Sequence, residues 1–124
     1  MLGPAWDPAL YATGLYSRIG EFVDRSPRAV ERFAHEGWTL RYYEDGRTAS
    51  VAVGESIRSG NLWLSINGKV DASTGDDMPT QQLSGSIPVS IAKAAGIHGP
   101  QTLVVGLASG VTAGEALAAG ASSL

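Results

Sequence analysis

The stretch best suited to chemistry is TLVVGLASGVTAGEAL, residues 102–117. It reads as a short β-prone run, a Gly-rich loop and a helix. Glycines let a ligand approach the backbone closely, and a helix N-terminus presents free N–H groups, so the arrangement suits a nucleotide or nucleoside cradle. The spacing is Gly106-x-x-x-Gly110-x-x-x-Gly114, not the dinucleotide pattern G-x-G-x-x-G, so no pyrophosphate site follows. A Gly-tolerant helix start with no ligand has the same pattern. A GxxxG membrane pair is disfavoured by Glu115 and the β-branched Val111 and Thr112. A second polar group lies upstream, with Asp76, Asp77 and Gln81 around the start of a helical pattern. The two carboxylates suit a cationic amine, and they equally suit the positive end of a helix. Metal and thiol chemistry have little to build on. The chain has no Cys, and its two histidines, His35 and His98, are far apart.

The elements that must position these groups can be read in order. Ser26-Pro27 is a helix start, with Ser as cap and Pro at the first helical position, and Gly37 stops that helix. Residues 38–43 are aromatic and β-prone. Asp45-Gly46 is a hairpin signal, and residues 48–53 alternate up to Gly54. Residues 61–66 alternate again, Asn67-Gly68 is a second hairpin signal, and Lys69-Val70 begins a further short strand. A small antiparallel sheet is therefore expected. Residues 73–77 form a polar loop. Leu83, Ile87 and Ile91 then recur at helical spacing, with Pro88 expected to kink or split that helix. Residues 102–105 read as a buried-type strand and residues 111–119 as a helix. Residues 1–25 show no clear period.

Composition sets outer bounds. The 124 residues carry 9 Lys+Arg and 12 Asp+Glu, a formal net charge of -3, which gives no general electrostatic reason to bind nucleic acid. Only 17% of residues are charged, below the roughly 25% of an ordinary domain. The arginines concentrate in residues 18–58, where acids balance them in a solvated face, whereas residues 94–124 hold a single charge, Glu115. So bare a tail implies that it is covered by other protein, and the chain reads as the front part of something longer. No apolar run is long enough to call a membrane span, and the first residues lack the pattern of a signal peptide.

NLWLSINGKVDASTGDDMPTQQLSGSIPV followed by TLVVGLASGVTAGEAL resembles the spermidine synthase family of polyamine aminopropyltransferases. It is most similar to the spermidine synthase-like domains that follow a membrane region in some bacterial proteins. Trp6-Asp7-Pro8, ATGLYSR at 12–18 and LRYYEDGRTASVAV at 40–53 also resemble that subgroup, so the likeness covers nearly the whole chain. Residues 64–68 match the family hairpin L-x-L-D-G, and Asp76-Asp77 match its Asp-Glu before the helix. Gln81 stands where the family has Gln or His, and Gly106 and Gly110 match the ligand-loop glycines. The chain departs at Asp71, where a Gln touching the nucleoside is usual, and at Thr80, where a substrate-contacting Tyr is usual. Ala108 replaces a loop glycine, and Ser109 replaces an Asp.

The resemblance implies an α+β fold leading into α/β. A small antiparallel sheet domain (residues 1–72) would precede a linker helix and the first βα unit of a Rossmann-like S-adenosyl-methyltransferase-type sheet (residues 73–124), cut short. It implies a donor site at Asp71, Gly106, Ala108, Ser109 and Gly110, and a polyamine site at Asp76, Asp77 and Gln81. The co-substrate would be decarboxylated S-adenosylmethionine or S-adenosylmethionine, and nothing is bound permanently. It also implies a homo-oligomer, a dimer, and a cytoplasmic location, with membrane attachment of the parent protein left open. The family's general base and its ribose-holding acid belong to later strands, so no catalytic residue is assigned in this chain. Two other readings stay open: a non-catalytic binding or dimerisation module of the same family, and a methyltransferase-like enzyme with a different acceptor.

Overall fold

A computed structural model describes residues 6–15, 20 and 22–124. The chain divides into two compact units, one running to Gly75 and the other spanning Asp76–Leu124. The boundary expected after residue 72 falls inside the last strand of the first unit.

The first unit is a helix-covered antiparallel sheet. Helix α1 (Pro8–Ala12) starts at Asp7, whose carboxylate accepts the Ala9 N–H at 2.8 Å, with Pro8 at the first helical position. This helix was not expected from the sequence, although Asp-Pro is a helix-start signal. Helix α2 (Pro27–Glu36) begins as expected: the Ser26 hydroxyl accepts the Ala29 N–H at 3.3 Å, and Gly37 caps its end. Four strands follow, β1 (Trp38–Asp45), β2 (Ser50–Ser56), β3 (Leu62–Ile66) and β4 (Lys69–Ser73), paired antiparallel in the order β1-β2-β3-β4. Asn67 and Gly68, with φ of 52° and 77°, make the tight turn between β3 and β4.

β2 runs through Gly54 instead of stopping there. Gly54 pairs with Trp63 on β3, and any Cβ at position 54 would sit inside the Trp63 ring. The glycine is a seat for the indole, not a strand end. Trp63 in turn meets the buried Trp38 edge-to-face, with ring centres 4.9 Å apart. Ala9, Ala12, Ala34 and Ala52 complete the core, with Leu10, Leu40 and Tyr43 packed around it. A bulge at Arg41 lets Leu40 and Tyr43 face the same side, opposite Gly54 and Ala52.

The second unit consists of helices α3 (Met78–Ala94) and α4 (Val111–Ala118) joined by an irregular segment. Their crossing depends on Gly85, which is buried where a Cβ would overlap the Thr112 carbonyl and lie 3.0 Å from the Ala116 nitrogen. Pro88 does not split α3, which is continuous. Ser84, whose carbonyl the proline leaves without its usual helical partner, lines an open cleft beside Pro88 and is not sealed in an apolar core.

Residues 102–105 form no strand with a neighbour among the described residues, and residue 105 lies in a bend. Leu103 and Val105 are 86% and 89% exposed, so the buried-type strand expected there is not buried. The segment's one ladder contact is at its start, where Gln101 bridges Ser123 in parallel and the Thr102 N–H donates to the Ser123 carbonyl at 3.0 Å. Leu83, Ile87 and Ile91 share a helical stripe on α3, and all three are exposed. No helix among the described residues is long and apolar enough to cross a membrane.

Candidate functional site

Most of the residues singled out in the sequence lie in the second unit, and three of them are joined there by hydrogen bonds. The Ser109 hydroxyl donates to the side-chain carbonyl of Gln81 at 2.6 Å. The Gln81 amide nitrogen donates to the Asp77 carboxylate at 3.1 Å. The amide is thereby oriented, with its oxygen toward the Gly-rich loop and its NH2 toward the acid at the start of α3. Thr112, the second residue of α4, adds a third contact by donating its hydroxyl to the Gln81 backbone carbonyl at 3.1 Å. Thr112 was not picked out from the sequence, although a hydroxyl in the first turn of the helix after a Gly-rich loop is a visible signal. The Ser109 oxygen also accepts the Val111 N–H at 3.4 Å, which ties the loop to the first turn of α4.

The loop itself is held by backbone conformation. Gly106 and Gly110 have φ of 87° and 78°, and Ala108, the residue in place of a glycine, is also left-handed at 45°. An L-residue in that region costs about 1–2 kcal/mol. The Gly110 N–H donates to the Leu107 carbonyl at 2.8 Å, closing the turn. Gly106, Ala108 and Ser109 are exposed, and a Cβ at Gly106 or Gly110 would meet nothing within 4 Å. Their glycine character therefore serves the turn and leaves space above the loop. Behind it lies a cleft of 340 Å³, lined by Gly85, Pro88, Val104, Gly106, Thr112 and Ala116 among others. This is at the lower end of volumes that hold a small ligand, roughly 300–1,000 Å³.

The other singled-out acids behave differently. Asp76 is exposed and Asp77 is half-buried. Asp77 precedes Met78 at the start of α3, but its side chain makes no capping hydrogen bond to the helix and is turned instead to Gln81. Asp71 belongs to the first unit. It is the extra residue of a bulge on β4, between Ala72 opposite Leu64 and Val70 opposite Ser65, and Lys69 holds its carboxylate at 2.8 Å. A bulge re-aims a side chain, which is why bulges recur beside functional sites. Thr80 is exposed on a groove of α3 with Leu83, Ser84, Ile87 and Pro88.

No group of three or more potential metal ligands occurs among the described residues. His35 pairs with Asp7 at 2.8 Å in the first unit, a contact the sequence did not suggest. Burial raises the Asp7 carboxyl, but the Ala9 N–H and the His35 ring outweigh this and hold it below the ordinary Asp value. On β1, the Glu44 carboxylate accepts the Tyr42 hydroxyl and so raises that phenol, while burial and the bond to Asp45 raise Tyr43.

The chain matches no family model, no curated protein and no solved structure.

Proposed function

We propose that this chain carries the small-sheet and ligand-loop portion of a spermidine synthase-like aminopropyltransferase. The observation that carries the reading is the line Ser109–Gln81–Asp77, because it ties residues expected to face the donor to residues expected to face the amine. The parallel bridge between Gln101 and Ser123 adds support. Two segments brought side by side in parallel across a helix follow the order of a βαβ unit, and a Rossmann-like sheet is built of such units.

The reaction is displacement at carbon. A neutral amine attacks the methylene beside the sulfonium of decarboxylated S-adenosylmethionine. The C–N bond forms, the C–S bond breaks, and its electron pair goes to sulfur, releasing methylthioadenosine. The amine nitrogen then gives up one proton. Holding amine and sulfonium in line supplies much of the rate. In this reading the loop at residues 106–110 receives the nucleoside side of the donor. Asp77, oriented by Gln81, and the exposed Asp76 provide negative charge for the polyamine. No residue here is assigned as the proton acceptor.

The test is a nuclear magnetic resonance titration of the chain with methylthioadenosine. Weak binding is expected, too weak for calorimetry, with shifts confined to the amides of residues 106–111 and the Gln81 side chain. Shifts spread evenly over the surface, or none at the loop, would remove the reading.

A second reading, a non-catalytic assembly module of the same family, is favoured by the bare Leu103 and Val105 side chains. It predicts self-association with no response of the loop to methylthioadenosine.

A further inference from the structure

We propose that the end of the sheet unit where its two tight turns meet helix α1 binds the ring of a sugar, at a site separate from the Gly-rich loop. A concavity of 420 Å³ opens there, lined by Tyr11 of α1, by Asp45, Thr48 and Ser50 of the β1–β2 hairpin, and by Asn67 of the β3–β4 turn. The volume is within the roughly 300–1,000 Å³ of small-ligand sites. The meander puts both turns at one end of the sheet, because β1 and β3 end there and β2 and β4 begin there. Gly68 brings α1 to them: it is buried, and a Cβ at that position would lie 2.7 Å from the Tyr11 carbonyl oxygen.

The chemistry of the lining selects the ligand. Tyr11 is 61% exposed, and its ring is braced by Trp6, with centres 6.1 Å apart and planes inclined at 54°. Such a platform offers an apolar face to the C–H face of a sugar ring. The polar groups around it are held in place and only partly used. One Asp45 oxygen accepts the Tyr43 hydroxyl at 2.8 Å, and the Asn67 side-chain oxygen accepts the Ser50 N–H at 2.9 Å. Among the described residues, the second Asp45 oxygen, the Asn67 NH2 and the Thr48 hydroxyl have no hydrogen-bond partner. A carboxylate only accepts and an amide NH2 only donates, so a ligand that satisfies both must do both, as a hydroxyl does. An anion would be repelled by Asp45, and a simple ammonium ion has no acceptor for the Asn67 NH2. Neighbouring hydroxyls on a ring with an apolar face meet every demand of the site.

The experiment is a nuclear magnetic resonance titration of the full chain with glucose, mannose and galactose, each as the free sugar and as its methyl glycoside, with glycerol as the polyol control. At least one sugar should give saturable shifts confined to the amides of Tyr11, residues 45–50 and residues 67–68. Equal binding of the methyl glycoside identifies the end of a glycan chain as the ligand, and binding of the free sugar alone identifies a free sugar. Tyr11→Ala should weaken binding about three- to tenfold, the worth of one aromatic contact, whereas Tyr11→Phe keeps the platform and should bind like the parent chain. Asp45→Asn keeps the oxygen that Tyr43 bonds, removes the open acceptor, and should weaken binding by a similar factor. Unchanged β2 and β3 amide resonances verify the fold of each variant. No saturable shift with any sugar, the same shifts with glycerol, or a Tyr11→Ala variant that binds like the parent overturns the proposal. So does a response of these amides to tetramethylammonium in place of the sugars.

Discussion

In the sheet unit every strand pairs with a neighbour close in sequence, whereas in the second unit residues 102–105 pair with no strand among the described residues. The first unit closes its core around Trp38 and Trp63. The second relies on one helix crossing, at Gly85, and leaves Leu83, Ile87, Ile91, Leu103 and Val105 exposed. Hairpins and caps are short-range instructions, so they suffice for a meander. A parallel strand takes its partner from beyond a crossover helix, and its own residues cannot supply that partner.

The contrast can be broken at its strongest point first. All three tryptophans, Trp6, Trp38 and Trp63, lie in the sheet unit, so their fluorescence reads that unit alone. Trp38→Ala should cost about 3–5 kcal/mol, by analogy with other buried aromatics. Urea unfolding followed by fluorescence checks this, and the helical signal of the second unit should survive at urea concentrations where the sheet is lost. A single coincident transition would mean that the two units are not independent.

Gly85→Ala asks the same of the second unit. Its methyl would press into the Thr112 carbonyl, and overpacking of this kind costs roughly 1–3 kcal/mol. Circular dichroism should report a weakened helix pair while tryptophan emission stays unchanged. Ser109→Ala is milder. It removes two exposed hydrogen bonds, the donation to Gln81 and the long one from the Val111 N–H, together worth about 0.5–1.5 kcal/mol, and should shift the Gln81 side-chain amide resonances without moving those of β3.

Acid acts on the sheet unit through Asp7. Its carboxyl lies below the ordinary value, so its contribution is full above the unfolded-state value and declines as pH falls through the folded one. Acid titration of the parent chain should therefore show a loss that Asp7→Asn lacks. The smallest effect on stability is expected from Leu103→Lys with Val105→Lys, within about 0.5 kcal/mol because both side chains are exposed. Light scattering should nonetheless show less association than in the parent chain, since the change removes an apolar, unpaired edge.

What the sequence disclosed, and what it hid, follows the same division. Ser26-Pro27, Asp45-Gly46 and Asn67-Gly68 are local signals, and each marks a helix start or turn in the structure. Gly54 and Pro88 misled for one shared reason: each is a breaker by type, and tertiary context overrode the type. At Gly54 an indole fills the space a side chain would need, and at Pro88 the residue whose carbonyl is freed, Ser84, is exposed beside an open cleft. Helix α1 escaped notice because five residues are too few to show a period. In the candidate site, Gln81 and Ser109 were visible as separate motifs. Their hydrogen bond was not, because 28 residues separate them and no spacing rule reaches that far.

The order β1-β2-β3-β4 also bears on how quickly this chain acquires its shape. Each pairing closes only a short loop, and such low-contact-order ladders form rapidly, while the Gln101–Ser123 bridge must wait for a whole helix to be laid down between its ends. During synthesis from the N-terminus, the meander can assemble before the Gly-rich loop has left the ribosome. In stopped-flow refolding, tryptophan emission should reach its final value before the far-ultraviolet helical signal does.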